Sequence, residues 1–127
     1  MANTRTDYSV EIVMYSKELS AKERIAIKDT TNAVSLDEAC EGAPLVITPD
    51  FYVELNVHNE KSEDKDYVKF VVVDKAGQKY VTGSQSFWNA FIDIAGEMGD
   101  EDYEIEIYKL PSKNYKGKSF LTCSIVM

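Results

Sequence analysis

The chain has one histidine and two cysteines among 127 residues, and each scarcity closes off a class of chemistry. A single histidine, His58, excludes any metal site built from several histidines, and a histidine-dependent triad would have to rest on this residue alone. Its neighbours Asn56, Asn59 and Glu60 form no motif, so His58 reads as a surface or strand-end histidine. Cys40 and Cys123 are not in CxxC spacing, and two buried thiols are expected rather than a disulfide. No apolar run approaches the length of about 18 residues that a membrane span needs. Residues 1–7 hold no apolar stretch of the kind a secretory signal carries, so the expected compartment is the cytoplasm. There is no Walker or Rossmann glycine pattern, and Asp100-Glu101-Asp102 lacks the ligand spacing of a calcium loop, which leaves it as solvated charge. Internal repeats, linkers and low-complexity tracts are missing too. These absences together predict one domain from 1 to 127 with no enzymatic machinery, no cofactor and no metal.

What is present fits a folded domain. Hydrophobic residues make up 44% and charged residues 28%, a balance that argues against disorder. The length falls within the roughly 100–150 residues common for one domain, enough to bury a core without staples. The net charge of −8 disfavours broad nonspecific binding to nucleic acid or to an anionic membrane. Its distribution is more telling than its sum. Asp100 to Glu104 and Glu60 to Asp66 are strongly acidic, whereas Lys109 to Lys118 holds four lysines and no acid.

Hydrophobic periodicity then gives the elements. Tyr8, Val10, Ile12 and Met14 at period two read as a half-buried strand. Ser20-Ala21-Lys22-Glu23 has capping-box spacing and predicts a short helix over Ala21 to Lys28, and a further turn of helix fits Leu36 to Cys40. Leu45 to Ile47, followed by Phe51, Val53, Leu55 and Val57, reads as a strand bent near Pro49. Tyr67 to Val73 and Lys79 to Thr82 flank Asp74-Lys75-Ala76-Gly77, a hairpin turn with glycine available for positive φ. Ser84 or Ser86 can cap a helix whose stripe is Phe87, Phe91, Ile94 and Met98, flanked by Trp88 and Ala95, with Asn89, Asp93 and Glu97 facing water. Gly99 ends it. Tyr103, Ile105 and Ile107 give another strand, and Ser119 to Val126 the last.

From Leu45 onward the order is strand, strand, strand, helix, strand, strand. That is the order of the OB-fold, a five-stranded, partly open β-barrel with its helix between the third and fourth strands. The expected fold is therefore mostly β and OB-fold-like, with an N-terminal strand and short helix added. An α+β sandwich shares the same order of elements.

In such a barrel the segment Leu110-Pro111-Ser112-Lys113-Asn114-Tyr115-Lys116-Gly117-Lys118 joins strands four and five, and that loop helps frame the nucleic-acid face. Lys109, Lys113, Lys116 and Lys118 can neutralise phosphates while Tyr115 stacks on a base. Tyr52, Tyr67, Phe70, Tyr80 and Tyr108 lie on strands, and those that point outward would add stacking surface; Tyr52 and Tyr108 are taken as candidates. The same loop also fits a plain solvated turn. Phe87, Trp88 and Phe91 read as core.

Thr82-Gly83-Ser84-Gln85-Ser86-Phe87-Trp88, Pro111 to Lys118 and the Thr122-Cys123-Ser124-Ile125-Val126 ending resemble small proteins of bacteriophages and mobile elements of Gram-positive bacteria, some of them single-stranded DNA-binding proteins. The resemblance spans most of the chain. It implies an OB-type fold, single-stranded DNA as partner, and a role in replication or recombination in the bacterial cytoplasm, with replication or recombination proteins as further partners. One departure is the apolar end at Met127, where many single-strand-binding proteins carry a flexible acidic tail that recruits partners. Two rival readings stand beside it. One is an acidic DNA mimic that inhibits a host nuclease or defence protein, supported by the net charge and the acidic clusters at 63–66 and 100–106. The other is an accessory protein in a larger assembly.

Overall fold

A computed structural model describes residues 8–113 and 116–127. It is mostly β, with two sheets and a helix between strands. The first strand, β1 (Tyr8–Tyr15), is followed by helix α1 (Ala21–Lys28), whose capping box is complete. The Ser20 hydroxyl accepts from the Glu23 amide at 3.2 Å, and the Glu23 carboxylate accepts from the Ser20 amide at 2.8 Å. The short β2 (Val34–Ser35) and α2 (Leu36–Ala39) come next, and Leu36 is fully buried.

The bend expected near Pro49 divides one run into β3 (Leu45–Ile47) and β4 (Pro49–Asn59), and the halves enter different sheets. β4 pairs with β5 (Asp66–Asp74), which pairs through its hairpin with β6 (Lys79–Thr82). Gly77 holds φ at +88° in that turn, a conformation that a side chain would strain, and Asp74 accepts from the amides of Ala76 and Gln78. β1 lies along the outer side of β4 and β2 runs parallel to β6, so the large sheet has the order β1-β4-β5-β6-β2. β3 pairs with β7 (Ile105–Pro111), and β7 with β8 (Ser119–Ile125), as a separate three-stranded sheet. Among the described residues no ladder joins the two sheets.

Helix α3 (Gln85–Met98) begins at Ser84, which accepts from the Phe87 amide, and ends at Gly99. It buries Phe87, Trp88, Phe91 and Ala95 between the sheets; Ile94 and Met98 lie at the margin of this stripe. Trp88 stacks on Phe70 of β5 with centroids 4.5 Å apart and planes 13° from parallel. Ile105, Ile107, Leu121 and Cys123 close this core from the small sheet.

The opposite face of the large sheet carries a second core, in which Leu19 and Ile27 cover Val53, Leu55, Val71 and Val73. β5 is thus buried on both faces, which is why Phe70 to Val73 form a continuous apolar run rather than an alternating one. In β1 the expected alternation breaks at Val13, where a bulge between Ile12 and Met14 shifts the register. Val10 and Ile12 therefore pack into the second core while Met14 turns to the first. Both cysteines are free and buried, and no helix among the described residues is long and apolar enough to cross a membrane.

Candidate functional site

The β7–β8 hairpin sets the geometry of the lysine-rich segment. Its register runs from Ile105 opposite Ile125 to Pro111 opposite Ser119, and the Ser112 amide donating to the Lys118 carbonyl at 3.0 Å closes the loop. Gly117 sits in that loop at φ +77°. Lys113, Lys116 and Lys118 are all exposed on it. From Ile107 to the end of the chain no side chain is acidic, and the one acid on the paired strands, Glu106, sits at the end of the hairpin away from these cations. Asn114 and Tyr115, the expected stacking residue, lie outside the described residues.

Strand parity distributes the rest. Ile105 and Ile107 point into the core with Leu121 and Cys123, and Glu106, Tyr108 and Leu110 point outward with Phe120, Thr122 and Ser124. Lys109 shares the inward parity. Its side chain is 24% exposed and its Nζ lies 3.9 Å from Glu41, which draws it away from the loop lysines. Tyr108 is half-buried on the outer face, its hydroxyl 2.6 Å from the Ser124 hydroxyl.

Tyr52 does not join the hairpin. Its ring packs edge-on against Phe91 at 5.0 Å and Trp88 at 5.8 Å, on the inner face of β4, so it belongs to the core margin rather than to a stacking surface. Phe70 is buried beneath Trp88, and Tyr80 donates to Asp74 across the turn, where burial and that carboxylate push its phenol up. Sequence reasoning passed over Leu110 and Phe120. They are direct cross-strand partners, 41% and 38% exposed, and with Pro111, Ser112 and Lys113 they line a shallow depression of about 590 Å³. Counting outward from the loop closure at Ser112 and Lys118 would have placed both on one face.

The acidic segments are arranged differently. Lys75 bridges Asp102 at 3.2 Å and Asp50 at 3.6 Å beside a polar hollow that Tyr52 and Tyr103 also line. Asp102 and Asp50 raise the Lys75 amine, and burial pushes the Tyr103 phenol up to about 12. His58, at the end of β4, places Nδ1 2.8 Å from Asp66 and Nε2 2.6 Å from Glu60. Glu60 also takes Lys65 at 3.3 Å. Both imidazole contacts attract only when both nitrogens carry protons, and the two carboxylates raise the imidazole above its usual value. They lie on opposite sides of the ring and cannot share one cation with it. Among the described residues no group of three or more metal-ligating side chains is placed to hold an ion.

Compared with family models, with curated proteins and with solved structures, the chain gives no significant match.

Proposed function

We propose that the protein binds single-stranded DNA through the β7–β8 hairpin of an open, OB-like barrel, serving replication or recombination of a phage or mobile element. The observation that carries this reading is the exposure of Lys113, Lys116 and Lys118 on one loop, in a segment without acids, on a chain of net charge −8. A cationic loop on an acidic body gives local phosphate neutralisation without general affinity for polyanions. The ladders β4–β5, β5–β6, β3–β7 and β7–β8 support the OB-like reading, because the bent first strand contributes to both sheets. In such barrels the outer face of the second and third strands contributes to the oligonucleotide site. Here that face carries Val71, Val73 and Val81 and is covered by Leu19 and Ile27, which leaves the hairpin side as the approach.

The DNA-mimic reading needs a continuous acidic face. Glu60 and Asp66 are held by His58, and Asp50 and Asp102 by Lys75, so part of that charge is neutralised internally. This favours the binding reading. A gel-shift comparing a single-stranded oligonucleotide with its duplex at moderate salt tests it. Preference for the single strand is expected, since stacking needs unpaired bases; equal or tighter duplex binding would overturn it.

A further inference from the structure

We propose that Phe120, with Leu110 opposite it and Pro111 at its end, is the surface on which an unpaired nucleobase stacks. The inference rests on the single-strand-binding reading and deepens it, by naming a stacking residue outside the loop. Solvent-facing strand positions are ordinarily polar, and the far end of this face obeys that rule with Glu106, Thr122 and Ser124. The end next to the loop does not: Leu110 and Phe120 are opposed in register, stand open to solvent and take no part in either core. On this face of the hairpin, apolar surface is thus gathered at the end that carries the lysines.

Tyr108, diagonal to Phe120, marks the boundary of the patch, because its ring leans toward the polar end of the face. Its hydroxyl is tied to Ser124 and its ring is half-buried on the outer face. Lys118 precedes Phe120 by two residues, at most about 7 Å of extended chain. That reach is comparable with the distance from a base to its own phosphate. An aromatic ring beside exposed lysines, in a segment without acidic residues, matches a ligand with flat apolar rings on an anionic backbone. An anionic lipid surface presents a similar combination, but the 22 acidic residues of the chain oppose approach to a continuous negative plane, whereas a single strand can thread to one loop.

The test measures binding of a labelled oligothymidylate of about 20 nucleotides, longer than the roughly 4–16 that such modules cover, by anisotropy at several salt concentrations. It compares Phe120→Ala, Phe120→Trp and the combined Lys113→Ala, Lys116→Ala, Lys118→Ala variant, each first shown folded by far-ultraviolet circular dichroism and a cooperative thermal melt. Phe120→Ala is expected to weaken binding about five- to 150-fold with the salt slope unchanged. Phe120→Trp is expected to keep the affinity and to gain emission that the oligonucleotide quenches. If the lysine variant loses affinity and Phe120→Ala does not, the hairpin reading stands and the Phe120 inference fails. If wild type shows no binding, or none of the variants changes it, both fall. Loss of sedimentation with phosphatidylglycerol vesicles in Phe120→Ala, with DNA binding intact, would make the patch a membrane contact and likewise overturn the inference.

Discussion

The Ser86 hydroxyl donates to the Leu121 carbonyl at 2.7 Å, fastening the first turn of α3 to the outer edge of β8. An edge strand leaves alternate carbonyls without a ladder partner, and this one is satisfied by a helix side chain instead. Ser84, whose hydroxyl lies 2.9 Å from that of Ser86, caps the same helix.

Ser86→Ala is therefore expected to cost about 1 kcal/mol in urea unfolding, as for a typical hydrogen bond. Ser84→Ala should cost about 0.5–2 kcal/mol through the lost cap. Because the two hydroxyls touch, the double variant should depart from the sum of the singles. Strict additivity would show that they act independently.

Trp88 is 5% exposed and stacked on Phe70. Its emission should be blue-shifted and barely altered by an oligonucleotide. Trp88→Ala should destabilise the fold by about 3–5 kcal/mol, the cost of truncating a core aromatic. A red-shifted, readily quenched tryptophan would place the binding surface on α3.

The cluster at the end of β4 makes stability depend on pH. His58 has its folded value raised above the 6.5 of a free imidazole by Asp66 and Glu60, so its contribution is complete below 6.5 and is lost as pH rises through the folded value. Glu60, lowered by His58 and Lys65, acts in the opposite sense, losing its contribution as pH falls through its own folded value. Thermal melts from about pH 5 to 8 should show a decline on the alkaline side that His58→Gln abolishes. A histidine proton titrating below 6.5 would contradict the two contacts.

For the loop, each alanine substitution at Lys113, Lys116 or Lys118 should weaken binding to all single strands alike and flatten the log–log salt dependence by about 0.7 per phosphate contact. Lys109→Ala should flatten it less, because Glu41 already holds that amine. Equal effects from all four would place Lys109 on the strand after all.

Some of this protein could be read before any tertiary structure. Ser20 with Glu23 marks α1, Asp74 with Gly77 the β5–β6 turn, and Ser84 and Gly99 the two ends of α3, because each signal acts on backbone groups a few residues from itself. The lysine run of the hairpin was likewise legible, since charge belongs to the residues themselves. Which way a strand residue faces is another matter. Tyr52 turned inward onto Trp88, Lys109 turned toward Glu41, and Leu110 and Phe120 turned outward together. Those outcomes follow from pairings between distant segments and from the loop closure at Ser112 and Lys118. With a side-chain period of two, a one-residue change in register exchanges the faces of a strand, so composition determined that this chain holds a cationic hairpin and only the tertiary structure decided what stands beside it.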